Sequence, residues 1–250
     1  MTVDSEEDII GLKKIGRICA NTMQYMAGKI ESGMTTKELD DLGREFLERL
    51  GARSAPELTY NYPGATCISV NNCVAHGIPD GTVMEKGDMV NIDVSAELDG
   101  YFGDTGASFL VPPNVHEQLA VCKATKQARN NVIRSLKPGM KLNEVGKIIE
   151  KTARKHNMHI IRNLSSHGVG RALHEEPGTI LSYYDKREKR TLHDGLVITV
   201  EPFLSTGADM VYDGEDGWSL YTDDNIYTAQ YEHTIIVTKN GPIVTTYPDM

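Results

Sequence analysis

Hydrophobic residues recur at helical spacing in four segments of the chain, and these segments form two consecutive pairs. The spacing predicts helices near residues 5–30, 36–50, 115–135 and 142–156. Capping motifs precede three of them, namely Ser5 with Asp8, Thr35 with Glu38, and Asn114 with Glu117. Each helix pair therefore has a defined start and leads into a different kind of pattern.

Runs with strand character follow each helix pair. They cover Thr66–Val70, Met89–Leu98, Tyr101–Val111, Leu196–Leu204 and Tyr231–Val237. The dipeptide Asp99-Gly100 separates the second run from the third and predicts a two-residue hairpin turn. Residues 206–224, rich in Gly and Asp, predict a long surface or cleft-lining loop. Helices combined with antiparallel strands indicate the α+β class.

The order of these elements occurs twice. The segment 33–39 matches 139–145 in pattern, His76-Gly77 matches His167-Gly168, and 87–93 matches 194–201. A period near one hundred residues is too long for a solenoid. We therefore expect one catalytic domain, 1–250, with two pseudo-symmetric halves of about 1–112 and 113–250. Carboxylates at the strand ends of both halves would then meet in a central cleft.

Composition narrows the class of protein. The chain has 250 residues, 40% hydrophobic residues and a net charge of -9, which argues against nucleic acid as a partner. The sequence has no window apolar enough to span a membrane and begins with an acidic segment, so we expect a cytoplasmic protein without membrane contact. Four cysteines without a C-x-x-C motif predict reduced thiols. The one basic run, 186–190, predicts a solvated surface.

The hairpin places two aspartates close together. With a two-residue turn, Leu98 faces Tyr101 and Asp104 faces Ser95, so Asp93 and Asp104 become diagonal neighbours. Two converging carboxylates repel each other unless a proton or a cation lies between them. This pattern favours a metal site, although aspartates at strand edges also cap turns or face water.

Three further residues extend this constellation. His167 lies in a glycine-rich segment, Glu201 ends an apolar run before a proline, and Glu232 precedes another apolar run. Each alone is also explained as a structural residue at a sheet margin. Four carboxylates and one imidazole are too many ligands for one ion but suit two divalent ions. Oxygen-rich ligation favours manganese, iron(II) or cobalt, and zinc stays open.

Two other histidines have the surroundings of catalytic groups. His76 lies in Val-Ala-His-Gly-Ile-Pro, and His174 lies in Leu-His-Glu-Glu-Pro. An imidazole beside a metal-bound substrate can donate to a developing oxyanion or assist a leaving nitrogen. Hydrogen-bonded turn histidines remain the alternative for both.

Several motifs together resemble type I methionine aminopeptidase over residues 5–240. They are Cys67–Asn71, His76–Pro79, Asn91–Asp93, Gly103–Thr105, His167–Gly170, His174–Pro177, Glu201-Pro202 and Gln230–His233. The resemblance implies the pita-bread fold, a pseudo-twofold duplicated antiparallel sheet with helices outside and a dinuclear metal cleft at its centre.

The resemblance also implies roles for the site residues. Asp93 would hold one metal, Asp104 and Glu232 would bridge both, and His167 and Glu201 would hold the other. A hydroxide between the two ions would attack the first peptide carbonyl after Glu201 takes its proton. His174 would stabilise the oxyanion, and His76 would contact the scissile nitrogen.

The substrate pocket is where this chain departs from the family. Tyr62, Cys67 and Trp218 match residues that line the methionine pocket of the family, although each also fits ordinary packing. Leu173 stands where an aromatic residue is common, and Pro56 and Thr59 also replace pocket-side residues. The metal chemistry is unaffected by these changes, whereas the shape of the pocket is left open.

The implied activity is metal-dependent removal of methionine from nascent polypeptides and peptides with a small second residue. A monomer that comes transiently near the ribosome is the expected state. Two alternatives remain. One is a proline-directed aminopeptidase or dipeptidase of the same fold, which usually carries an additional N-terminal domain. The other is a non-catalytic binding protein, a type that loses metal ligands, whereas all five candidates are present here.

Overall fold

The computed structural model describes residues 1–249 and contains five α-helices within them. They are α1 (Glu6–Ala27), α2 (Thr36–Arg49), α3 (Ala55–Tyr60), α4 (His116–Ser135) and α5 (Leu142–Lys155). The four predicted helices are confirmed, and the short α3 was not predicted. Helix α1 ends three residues before the predicted boundary, at a C-cap on Gly28.

Two of the three predicted caps are confirmed. The Ser5 side chain accepts from the backbone N–H of Asp8, and Thr35 forms a capping box with Glu38. The cap of α4 was predicted wrongly. Val115 is its N-cap residue, and the Gln118 side chain accepts from the Val115 N–H at 3.0 Å. Because a hydrophobic residue is a poor N-cap, no local signal marked this position.

The first part of the chain builds a sheet around one long hairpin. Its strands are β1 (Arg53–Ser54), β2 (Cys67–Val70), β4 (Met89–Leu98) and β5 (Tyr101–Leu110). The short strand β3 (Cys73–Ala75) belongs to a different sheet. Strands β1 and β2 pair with one edge of β4, and β5 pairs with the other. Asp99 and Gly100 have φ of 54° and 78°, as a type I′ turn requires. The predicted register is therefore confirmed, with Leu98 opposite Tyr101 and Asp104 opposite Ser95.

The second part of the chain contributes ten shorter strands. They are β6 (His159–Ile160), β7 (Ser165–Gly168), β8 (Glu175–Leu181), β9 (Val197–Val200), β10 (Phe203–Ser205), β11 (Tyr212–Asp213), β12 (Leu220–Tyr221), β13 (Thr228–Gln230), β14 (His233–Ile236) and β15 (Ile243–Val244). Five of them form an antiparallel sheet in the order β15-β14-β9-β7-β8. The smaller sheets are β13-β10-β6 and β11-β12-β3.

One strand prediction and one loop prediction need correction. The predicted strand from 196 to 204 is interrupted at Glu201-Pro202, because β9 and β10 belong to different sheets. Proline has no N–H to continue the ladder of β9. The predicted loop 206–224 contains β11 and β12, and β12 pairs with β3. This pairing attaches the segment 206–224 to β3.

The two main sheets meet along β5 and the chain leading into β14. Ala107 and Tyr231 form an isolated antiparallel bridge, and the N–H of Glu232 donates to the Gly106 carbonyl at 2.8 Å. The N–H of Asp104 donates to Thr234 Oγ1 at 3.0 Å. These bonds align β4, β5, β14, β9 and β7 side by side across the centre of the molecule.

Helices cover the outside of both sheets, and similar backbone bonds recur in the two repeated segments. The Gly33 N–H donates to the Met84 carbonyl, and the Gly139 N–H donates to the Leu192 carbonyl, both at 2.8 Å. Helix α1 packs on β4 and β5, and α2 packs on α1, β1 and β2. Helices α4 and α5 pack on the second group of strands. The recurring bonds agree with the predicted repeat, and the division into two halves stays a prediction.

The remaining sequence features have simple outcomes. All four cysteines are free thiols. The basic run 186–190 lies in a non-helical surface segment, where Arg187 and Arg190 pair with Asp185 and Glu188. Among residues 1–249, the helices are all too short or too polar to cross a membrane.

Candidate metal centre

Five adjacent strands each bring one candidate ligand to the centre of the molecule. Asp93 lies on β4, Asp104 on β5, Glu232 just before β14, Glu201 just after β9, and His167 on β7. We call these residues the acid–histidine cluster. Their order in space follows the order of the strands across the junction between the two sheets. The structure thus brings together all five ligands predicted from sequence.

The side chains of the acid–histidine cluster lie close enough to share an ion. His167 Nε2 is 3.4 Å from Glu201 Oε1 and 3.7 Å from Asp104 Oδ2. Ligand atoms of Asp104, His167 and Glu232 all lie within 4.8 Å of one another. Four of the five residues are buried, and Asp93 is partly buried at the cavity.

Without a cation, this arrangement holds protons that ordinary carboxylates would release. Burial raises the pKa of Asp93 to about 6. Burial, followed by repulsion from neighbouring carboxylates, raises the pKa of Asp104, Glu201 and Glu232 well above the usual range. Burial and the nearby His174 lower the pKa of His167 to about 3. The site therefore favours a neutral imidazole and needs positive charge to ionise its acids.

Two buried carboxylate oxygens are available to hold a cation. Asp104 Oδ1 and Glu232 Oε1 have no hydrogen-bond partner in the part of the chain that the structure describes. His167 is prepared as a ligand as well, because its Nδ1 lies 2.9 Å from the Gly168 carbonyl. A carbonyl only accepts, so Nδ1 carries the proton and the Nε2 lone pair faces the carboxylates. These residues fit divalent cations by donor type and by charge.

Gln230 holds two of the ligands from behind. Its Nε2 donates to Asp93 Oδ2 at 3.0 Å and to Glu232 Oε2 at 3.2 Å. Asn91 Nδ2 donates to Gln230 Oε1 at 2.8 Å, which fixes the orientation of the amide. Gly106 leaves room for it, since a Cβ there would lie 2.3 Å from Gln230 Oε1. Such outer contacts orient metal ligands and tune their affinity.

Glu201 and His167 are tied to each other through Thr199. The hydroxyl of Thr199 donates to Glu201 Oε1 at 2.8 Å and accepts from the His167 N–H at 3.0 Å. The N–H of Glu201 donates to Ser166 Oγ at 3.0 Å. One carboxylate oxygen of Glu201 thus has a fixed donor, which limits the orientations of the group.

The cluster lies at the base of a cavity of about 410 Å³. The cavity is lined by every other site residue predicted from sequence: Tyr62, Cys67, His76, His174 and Trp218. Of the three departures from the family, Leu173 and Pro56 line the cavity as well, whereas Thr59 is an exposed residue of α3 that is not part of the lining. Two of the three departures can therefore change the shape of the pocket directly.

The rim of the cavity consists of more exposed aromatic and imidazole side chains. We define the cavity rim as Tyr60, His76, His174 and Trp218. Trp218 meets Tyr62 edge to face at 5.2 Å between ring centroids. His76 and His174 are solvent-accessible at the cavity, and the surrounding protein still lowers the pKa of both. Both rings are therefore neutral near pH 7.

Sequence reasoning missed the residues that support the cluster and the rim. Gln230, Asn91 and Thr199 act through side-chain contacts, and Tyr60 contacts His174 from 114 positions away. Gln230 was included in a motif, and its place two residues before Glu232 on a strand was the available signal. The remaining contacts depend on strand neighbours that a single sequence does not identify.

The other histidines do not line the cavity. His156, His159 and His193 contact Gln127, Asp209 and Thr2, respectively. His233 is buried against Thr246, and burial lowers its pKa to about 3. His116 begins α4.

Comparisons with known proteins agree with this geometry. A model of metallopeptidase family M24 matches residues 11–239. The chain is 46% identical to a methionine aminopeptidase of Staphylococcus epidermidis over the full length of both proteins. It is 42% identical to methionine aminopeptidase 2 of Bacillus subtilis, covering 98% of this chain and 99% of the relative. The crystal structure of methionine aminopeptidase from Rickettsia prowazekii superimposes with a TM-score of 0.93 at 35% identity, covering 99% of this chain and 100% of the other.

The fold and the cluster thus define a metal-dependent peptidase. The chain belongs to metallopeptidase family M24. The resemblance to methionine aminopeptidases is confirmed over the whole chain, and so is the predicted pita-bread fold. Membership of this family implies divalent metal ions as cofactors.

Proposed function

We propose that the protein removes the N-terminal methionine from peptides and nascent polypeptides, with a preference for a small second residue. The observation that carries the proposal is the complete acid–histidine cluster in the lining of a cavity of about 410 Å³. Full-length similarity to methionine aminopeptidases supports the choice of methionine. The lining residues Leu173, Phe203 and Trp218 offer apolar walls for an unbranched thioether.

We propose further that the cluster holds two divalent ions. Asp93 would serve one ion, His167 and Glu201 the other, and Asp104 and Glu232 both. The unpartnered oxygens Asp104 Oδ1 and Glu232 Oε1 support a metal-holding role for both of these carboxylates. When bound, such ions polarise a carbonyl and lower the pKa of water. The oxygen-rich set favours manganese, iron(II) or cobalt over zinc.

Three side chains of the cavity have further roles in the proposed hydrolysis. Glu201 accepts the proton of the attacking water, and the hydroxyl of Thr199 fixes the orientation of its carboxylate. His174 donates to the oxyanion that develops on the first carbonyl of the peptide. His76 contacts the nitrogen of the scissile bond. Both imidazoles line the same cavity as the cluster, which places them within reach of one substrate.

A panel of peptides tests the substrate. Met-Ala-Ser should be cleaved after methionine, whereas Ala-Pro peptides and N-acetylated Met-Ala-Ser should remain intact. Cleavage of Ala-Pro peptides alone would establish the proline-directed alternative. A metal-loaded protein that is inert on every methionyl peptide would establish a binding protein instead.

A substitution tests the role of Glu201. Glu201→Gln should keep the shape of the site and lower kcat on Met-Ala-Ser by ~10²-fold or more, because the general base is lost. Metal content is measured in the same samples. Near-normal turnover with metal still bound would remove Glu201 from this role.

The setting of the reaction follows from the proposed substrate. Nascent chains expose their N-terminal methionine near the ribosome, so transient proximity to the ribosome is expected in the cytoplasm. One cavity holds all the proposed residues, which agrees with activity as a monomer. Sedimentation at catalytic concentration measures that state.

A further inference from the structure

Tyr60 reaches one of the two histidines of the cavity rim from the end of a short helix. It is the last residue of α3, and Asn61 follows with a left-handed φ of 55° that turns the chain. The Tyr60 hydroxyl lies 2.6 Å from His174 Nδ1, and the two ring centroids are 5.7 Å apart. This contact links the first part of the chain to the loop that carries His174.

The turn at Asn61 also places a second tyrosine beside the other histidine. The Tyr62 hydroxyl donates to the Gly77 carbonyl at 2.6 Å and lies 3.3 Å from the His76 carbonyl. Tyr62 therefore holds the backbone of His76, whereas Tyr60 contacts the ring of His174 directly. Only the contact of Tyr60 with the His174 ring can decide which nitrogen of that ring carries a proton.

The position of that proton decides what His174 can do. A neutral imidazole has one N–H, and its other nitrogen accepts. If the Tyr60 hydroxyl donates to Nδ1, the proton lies on Nε2, which is the nitrogen left free for a substrate. An imidazole with the opposite tautomer would present a lone pair to the oxyanion and repel it.

We propose that Tyr60 is a positioning residue that donates to His174 Nδ1 and so keeps Nε2–H available as the oxyanion donor. The inference rests on the proposed role of His174 and extends it to a residue at the cavity edge. Tyr60 is 42% exposed. Removal of its hydroxyl should affect the reaction without affecting the fold.

Three variants of the metal-loaded enzyme test the proposal with Met-Ala-Ser. Tyr60→Phe should lower kcat ~10-fold and leave KM within ~2-fold, because the lost bond acts in the transition state. His174→Ala should lower kcat at least as far. Tyr60→Phe added to His174→Ala should cause no further loss, since the tyrosine acts through the histidine. Tyr247→Phe is the matched control, because its ring packs on His233 outside the cavity at 5.2 Å.

A spectroscopic measurement reports the tautomer independently of turnover. In protein loaded with diamagnetic zinc, the nitrogen chemical shifts of the His174 ring should show a protonated Nε2 and an unprotonated Nδ1. Tyr60→Phe should move both shifts toward the average of the two tautomers.

The outcomes separate this inference from the proposed function. A protonated Nδ1 in the parent protein, normal kcat in Tyr60→Phe, or an equal loss in the His174→Ala background would overturn the role of Tyr60. A rise in KM alone would make Tyr60 a binding residue and also overturn it. Normal kcat in His174→Ala would instead remove the oxyanion role of His174, whatever Tyr60 does.

Discussion

The acid–histidine cluster and the cavity rim contribute to one cavity but are built in opposite ways. The cluster lies on adjacent strands whose register is fixed by backbone pairing and by bonds such as Glu232 N–H to Gly106. The rim comes from the end of α3 and from loops, and Tyr60 and His174 are exposed. Strand positions are specified to a fraction of an ångström, whereas loop positions tolerate change.

This difference explains where the chain departs from its family pattern. All five cluster residues fit the pattern, because a buried charge without its partners is costly. The departures Leu173 and Pro56 lie in the wall of the cavity, where one apolar side chain can replace another. We therefore expect changes in the cluster to abolish activity and changes in the rim to adjust it.

The largest effect is expected for Asp104→Asn. Loss of one bridging carboxylate should lower kcat/KM on Met-Ala-Ser by ~10³-fold or more and lower the number of bound ions. Without metal, burial and the neighbouring carboxylates favour the neutral, protonated form of Asp104, so a neutral Asn avoids the cost of ionising a buried carboxyl there. The Tm of the metal-free variant should therefore equal or exceed that of the metal-free parent. A variant with parental activity, or one that does not fold, would contradict this account of the cluster.

A smaller loss is expected for Gln230→Leu. The substitution keeps the size of the side chain and removes both donated bonds, to Asp93 and Glu232. Metal affinity measured by calorimetry should fall ~10- to 100-fold, as for other residues behind metal ligands. Gln127→Leu on α4, where the amide contacts His156, is the control. Equal affinities in both variants would show that Gln230 does not support the ligands.

The pH dependence of stability compares the cluster with and without metal. The protonated acids favour the metal-free protein at low pH, and this contribution is lost as pH rises from their ordinary unfolded values to their folded values, which lie at about 6 for Asp93 and well above the usual range for Asp104. With metal bound, the same acids are already ionised. The difference in Tm between the two forms should therefore widen by a few degrees from about pH 6 to about pH 8. A constant difference would show that the acids are ionised before metal binds.

The smallest effect is expected at the rim. Trp218→Ala removes an aromatic wall that packs on Tyr62 and should raise KM for Met-Ala-Ser a few-fold, with kcat within ~3-fold. Metal content should stay at the parental value. A loss as large as that of Asp104→Asn would end the distinction between cluster and rim.

The same difference determined what the sequence could predict. The hairpin register followed from the Asp99-Gly100 turn, and it placed Asp93 and Asp104 correctly as neighbours. Glu201 was recognisable because an apolar run ends there before a proline. These signals are local and obey the periodicity of strands.

The parts that were missed depend on contacts between distant segments. Strand β7 carries His167, and strand β8 begins directly after His174. Neither strand shows a clear alternation of buried and exposed residues. The bond between Tyr60 and His174 requires the position of α3 relative to a loop 114 residues later. The support of Gln230 by Asn91 requires the pairing of two sheets. Residue propensities and spacing within the sequence do not predict these contacts.

Metal counting during recovery of activity tests the central claim most directly. Protein stripped with a chelator should not cleave Met-Ala-Ser. Addition of manganese, iron(II) or cobalt should restore cleavage. The number of bound ions should rise with the recovered activity and reach about two per chain at saturation. Full cleavage by metal-free protein, or restored cleavage in Asp104→Asn and Glu232→Gln alike, would contradict the assignment of the acid–histidine cluster as the metal centre.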